Sequence, residues 1–199
     1  MRRATIFMIM LGGCCLAAGE AKALSASYDQ TITQSGKVIA GKVTVKGELF
    51  RMEMRIGEEP TITVKNQSGV YSYLPSEEMA MRLPALDVSQ QPVASEDDYQ
   101  AYLQAQHAEH LRSETVNGYP CEVYRFLDPH THGPATVWVW TEKQFPVKFE
   151  LSGLSEGTVV ELTNIRLGIA ADDALFQLPP DVKVMDMGSM LNMGRQGGQ

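Results

Sequence analysis

The four histidines of this sequence fall in two pairs, His107-x-x-His110 and His130-Thr131-His132, with Glu109 and Asp128 beside them. Imidazoles near a carboxylate are zinc or copper ligands when a fold converges them. No cysteine-rich framework accompanies them, and both pairs sit where the chain changes direction. They read as polar loop and helix-end residues, and no metal is assigned. Cys121 is a second reactive type. It falls in a strand after a hairpin and reads as a small buried hydrophobe. No G-x-S-x-G, H-E-x-x-H or P-loop pattern occurs, and no nucleophile, base and orienting group can be named together. The chain is therefore expected to be no enzyme and to use no cofactor. Methionine supplies the remaining chemistry. Met52, Met54, Met79 and Met81 lie two apart in strand-like segments. Such adaptable thioethers suit promiscuous apolar surfaces, although core packing uses the same pattern. Met185, Met187, Met190 and Met193 cluster near the C-terminus. Soft thioethers take copper(I), but a solvated tail is the expectation there.

Composition narrows the class. The chain has 199 residues, 44% hydrophobic and 21% charged, which fits one folded domain rather than a disordered chain. A net charge of -7 and a pI near 5.1 supply no basic footprint for nucleic acid. Arg2-Arg3, the apolar Ala4 to Leu11 and Ala21-Lys22-Ala23 form a tripartite secretory signal. Cleavage is expected after Ala23, which places the protein in the periplasm. Leu11-Gly12-Gly13-Cys14 also resembles a lipobox, so a form lipid-anchored at Cys14 is the alternative. Cys121 is the one cysteine left after cleavage, and a lone cysteine builds no disulfide framework. Residues 24–187 form the domain and 188–199 a disordered tail.

The elements that must position these residues read as strands. Period-two patterning with turn residues every eight to twelve positions predicts an all-β sheet or barrel. A Lys46-Gly47 turn would pair Val43 with Phe50 and Gly41 with Met52. A loop at 57–61 would then bring Ile56 opposite Ile62 and Met54 opposite Val64. Gln67-Ser68 sets Val64 opposite Tyr71 and Ile62 opposite Tyr73. A loop at 75–77 sets Tyr73 opposite Met79. These registers gather Phe50, Met52, Met54, Tyr71, Tyr73, Met79 and Met81 on one face. A helix capped by Ser95 is expected over about 96–108. Asn117-Gly118 predicts a hairpin joining 111–116 to 119–127. Strands at 135–141, 146–152 and 158–167 follow, then a helical turn at 171–175 and a last strand at 182–186. Turns at 142–145 and 154–157 set Trp140 opposite Val147, and Trp138 and Leu162 opposite Phe149. The whole is a mainly β protein, a large curved antiparallel sheet in two meanders of about six strands, with one covering helix.

Several ordered segments carry a family resemblance. They are Gly41-Lys42-Val43-Thr44-Val45-Lys46-Gly47-Glu48 with Arg51-Met52-Glu53-Met54, Asn117-Gly118-Tyr119-Pro120-Cys121-Glu122-Val123-Tyr124, Phe145-Pro146-Val147-Lys148, Glu161-Leu162-Thr163-Asn164-Ile165 and Leu175-Phe176-Gln177-Leu178-Pro179. In this order they resemble a group of secreted bacterial domains similar to the periplasmic lipoprotein carriers LolA and LolB. The resemblance covers about Ser25 to Met187. It implies a half-barrel whose concave apolar face, closed by helical segments, holds acyl chains. No segment matches the carriers' own functional motifs, so none of their binding residues is carried over.

The expected function is a non-catalytic cell-envelope protein that binds a lipid, an acylated molecule or another apolar ligand in the half-barrel. The expected ligand-binding residues are Phe50, Met52, Met54, Tyr71, Tyr73, Met79, Met81, Trp138, Trp140 and Phe149. The alternative is an interaction or sensor module that docks another envelope protein with no bound lipid. Peripheral membrane contact is compatible with either; nucleic acid is not an expected partner.

Overall fold

A computed structural model describes residues 24–57, 59–83, 96–129, 132–152 and 157–186. The signal sequence with Cys14, the Ser95 cap, His130 and the tail from 187 lie outside them. The described residues form one open, curved sheet of twelve strands. The first meander is β1 (Ser25–Gln34), β2 (Lys37–Lys46), β3 (Leu49–Ile56), β4 (Glu59–Asn66), β5 (Gly69–Leu74) and β6 (Met79–Leu83). After the helix α1 (Glu96–Ala105) come β7 (Glu109–Val116), β8 (Tyr119–Leu127), β9 (Pro134–Trp140), β10 (Phe145–Leu151) and β11 (Thr158–Leu167). The two meanders join side by side through β1 and β11, antiparallel. The last strand, β12 (Lys183–Asp186), does not extend the second meander. It pairs in parallel with β6 at the far edge. To reach it, residues 168–182 run across the reverse of the first meander, held by side chains of β2, β3 and β4.

Local chemistry explains the turns. Asn117 and Gly118 both take positive φ, 52° and 83°, as a two-residue type I′ hairpin requires. Between β2 and β3 the turn is Gly47-Glu48, closed by the Lys46 and Leu49 pair. This register is two residues from the expected one, so every side chain keeps its face.

Other slips are odd. A tight turn closes β3 onto β4, and Ile56 meets Glu59. The register is three residues from the expected one, and β4 is flipped: Thr61 and Thr63 join the face of Met52, while Ile62 and Val64 turn to the reverse. Between β5 and β6 the turn takes one residue more than expected, with Glu78 left-handed at φ 50°, and Leu74 meets Met79. That second odd slip returns Met79 and Met81 to the face of Met52. Tyr71 and Tyr73 stay on the reverse. In β9 and β10 Trp140 meets Phe145, and a bulge at Val147 sets Trp138 beside Lys148 and Val137 beside Phe149.

Each face has its own core. On the inner face, α1 seats Tyr99 and Leu103 among Phe126, Val137, Phe149 and Val160. The same face continues through Tyr28 to Val43, Val45, Phe50 and Met52. On the reverse, Cys121, Val123, Trp138 and Val147 form a separate cluster under the second meander. Phe176, from the crossing segment, is fully buried.

Candidate functional site

Of the ten residues expected to line one apolar wall, the sheet register places six on the inner face: Phe50, Met52, Met54, Met79, Met81 and Phe149. Tyr71, Tyr73, Trp138 and Trp140 lie on the reverse. The correction has a physical cause. On β4, β5 and β9 neighbours on opposite faces are both buried, as in Thr63 and Val64, Val70 and Tyr71, and Val137 and Trp138. Such a strand does not reveal which of its faces points inward.

The inner face is best followed along one row across neighbouring strands. Tyr28, Val43, Met52, Thr63, Ser72, Met81 and Met185 stand side by side on β1 to β6 and β12. Val43, Met52 and Thr63 are buried, whereas Ser72, Met81 and Met185 are half-buried. Met54, Leu74, Met79 and Leu83 on the same face are half-buried too. The wall therefore opens toward the β6–β12 edge, and methionine is the main side chain there. Gly41 contributes at the other end of the wall. A Cβ on it would lie 2.7 Å from the Glu53 carbonyl oxygen and 3.1 Å from the Met54 Cβ, so glycine lets β2 press against β3.

Three tyrosines, Tyr28, Tyr99 and Tyr102, pack on the inner face. Burial pushes the Tyr28 and Tyr99 hydroxyls well above their ordinary pKa, with Tyr102 adding to the effect on Tyr99. Tyr102 is pushed up to about 12, by burial first and then by the Asp128 carboxylate. These phenols stay neutral and add no charge to the wall.

The reverse face holds the other candidates. Its second half is a structural cluster in which the Trp138 indole N–H donates to Glu114 and the Lys148 ammonium lies 4.6 Å from the centre of the Trp138 ring. Tyr119 packs on Trp140 at 4.8 Å. Cys121 is buried there, and burial raises its thiol pKa, the opposite of what a nucleophile needs. Its first half carries the crossing segment. Lys46 donates to the Ala171 carbonyl at 3.0 Å and pairs with Asp173 at 2.6 Å, Arg51 donates to the Leu175 carbonyl at 3.0 Å, and Asn66 to that of Phe176 at 3.0 Å. The sequence carries no advance sign of this crossing beyond the helical turn at 171–175, observed as a 3-10 turn at Asp173–Phe176.

The described histidines do not converge. His107 ends the helix with φ 51° and is exposed. His110 contacts Glu122, which also accepts from Ser113 Oγ at 2.8 Å. Ser113 and His110 thus share one carboxylate. Among the described residues no group of three His, Cys, Asp or Glu could hold a metal ion. An open groove of about 490 Å³ lies elsewhere, at the end of β1, β10 and β11, lined in part by Thr33, Gly36, Glu150 and Thr158.

Neither a comparison with protein-family models nor one with curated proteins finds a match to this sequence. Solved structures share its fold. The chain is similar to one in the complex of MucA and MucB from Pseudomonas aeruginosa, at 12% identity and a TM-score of 0.55, covering 83% of this chain and 59% of that one. A crystal structure of MucB matches at 11% identity and a TM-score of 0.52, covering 83% and 61%. The present chain thus spans about three fifths of the length of these neighbours. A LolA superfamily protein from Nitrosomonas europaea matches at 15% identity and a TM-score of 0.35, covering 80% and 91%. The open, curved sheet with a helix against it agrees with the half-barrel architecture that the ordered sequence motifs imply. No described helix is long and apolar enough to cross a membrane.

Proposed function

We propose that this protein is a non-catalytic, periplasmic cell-envelope component that takes an elongated apolar ligand, a lipid or an acylated molecule, on its inner face. One observation carries the reading. The inner wall passes from a fully buried floor at Val43 and Met52 to half-buried methionines at Met54, Met79, Met81 and Met185, and the buried side chains of α1 belong to the cluster of the other half. Methionine has three rotatable bonds and refits around a flexible chain. Each buried methylene of an acyl chain contributes about 0.8 kcal/mol before ordering costs. Phe50, Met52, Met54, Met79 and Met81 form the wall in this reading. Phe149 belongs to the core under α1, and Tyr71, Tyr73, Trp138 and Trp140 serve the reverse face.

The test is saturable binding of a fluorescent fatty-acyl probe, together with mass spectrometry of an organic extract of protein purified from its native envelope. Binding is expected to be nearly independent of salt. Met81→Asp should weaken it by at least about tenfold, because a carboxylate would stand on the apolar wall. Circular dichroism of the variant establishes that it folds. A well-folded wild-type protein that shows no saturable binding overturns the reading.

A second reading, a module that docks another envelope protein, draws support from the fold neighbour MucB, which was solved in complex with MucA. A complex recovered with an envelope protein, in the absence of any extractable lipid, would favour it.

A further inference from the structure

Strand β12 changes the surroundings of two methionines. Its parallel pairing with β6 sets Met185 directly beside Met81, and Met79 lies two residues along β6 on the same face. Paired strands are about 4.8 Å apart, and residues two apart on a strand about 6.6 Å. Three flexible thioethers therefore start within easy reach of one point. All three are half-buried, open enough for an ion to enter yet partly shielded from water. The flanking inner-face neighbours across β5 are Ser72, beside Met81, and Leu74, beside Met79. No carboxylate or imidazole stands in those positions to favour a hard or borderline cation. Lys183 is aligned with Met79 on this face, and its exposed ammonium opposes any cation weakly.

We propose that Met81 and Met185, with Met79, form a thioether site for a soft monovalent metal cation, copper(I) or silver(I), at the β6–β12 edge of the inner wall. Thioethers select such ions over zinc, magnesium or calcium. The site shares these methionines with the proposed apolar wall but uses their sulfur lone pairs rather than their apolar surface. Leucine nearly keeps the volume and apolarity of methionine but cannot ligate, so Met→Leu variants remove the ligand and keep the fold.

The probe is silver(I) nitrate, added in chloride-free buffer to purified protein carrying ¹³C-methyl methionine. The Met79, Met81 and Met185 methyl signals are expected to move together and to saturate near one silver per chain. The double variant Met81→Leu, Met185→Leu should bind silver at least about tenfold more weakly while its circular dichroism spectrum shows an unchanged fold. Lys183→Gln should tighten silver binding. Unchanged affinity in the double variant overturns the proposal. So do shifts confined to Met187, Met190 and Met193, binding lost in Cys121→Ala, or no shift at one equivalent.

Discussion

Under β8 to β11 the inner face is closed by α1, whose Tyr99 and Leu103 are almost wholly buried among aromatic and β-branched side chains. Under β3 to β6 the same face carries methionines, threonines and serine, and its burial falls away toward the edge. The reverse faces differ the other way. Behind β3 and β4 a crossing segment is tied down by Lys46, Arg51 and Asn66. Behind β8 and β9 the sheet covers itself with Trp138, Trp140 and Tyr119. A continuous sheet thus divides its labour. One half is rigid inside; the other is braced from behind, which leaves an adaptable wall in front.

The largest expected effect tests the brace. Phe176 is fully buried, so Phe176→Ala should destabilise the domain by about 3–5 kcal/mol in urea unfolding. A value under about 1 kcal/mol would mean that the crossing segment supports nothing. Next comes a direct contrast between the halves. Leu103→Ala should cost about 2–4 kcal/mol, whereas Met81→Ala, half-buried at the open end of the wall, should cost about 1 kcal/mol or less. Equal losses would make the methionine wall an ordinary core.

Smaller still is the Lys46 and Asp173 ion pair. Its partners are 42% and 71% exposed, so Asp173→Asn should change stability by no more than about 1 kcal/mol, and by less in high salt.

The smallest effect separates the two halves by pH. Among the described residues both perturbed carboxylates lie in the second half. The Arg112 guanidinium, then the Trp138 indole, hold Glu114 below the usual glutamate range, and Ser113, then His110, do the same for Glu122. A carboxyl depressed in the folded state stabilises it above the unfolded pKa, and that stability is lost as pH falls through the folded value. The melting temperature should therefore be level near neutrality and dip below about pH 4. The dip should shrink in Glu114→Gln, with a change in Trp138 emission.

Strand placement could be read from local pattern because turns and alternation are local. Asn117-Gly118, the strands from 111 to 167 and the final strand near 182–186 all follow from residues close in sequence. Faces were harder. A register error of two residues at Gly47 did no damage, whereas errors of odd size at the β3–β4 and β5–β6 turns moved side chains across the sheet. The two odd errors cancel, which is why Met79 and Met81 rejoin Phe50 and Met52 while Tyr71 and Tyr73 do not. Trp138 and Trp140 misled because Val137 and Val139, between and beside them, are equally apolar. The pairings of β1 with β11 and of β12 with β6 link residues far apart in sequence, and nothing in either segment announces its distant partner.

That distant pairing of β1 also sets an order of events. Ala26 waits for Leu167, and Thr33 for Val159. While the chain emerges from its N-terminus, β1 to β6 can zip together through short turns, but both edges of that meander stay bare, and so does the back that Phe176 will cover. Closing such long loops is slow, and open strand edges invite pairing with other chains. Residues 158–186, which hold β11, the crossing segment and β12, arrive after every other strand and seal one edge, the back and the other edge in turn. A truncated or slowly delivered chain is thus exposed along both sides at once, and a holdase that shields free strand edges would matter most in the interval before β11 docks.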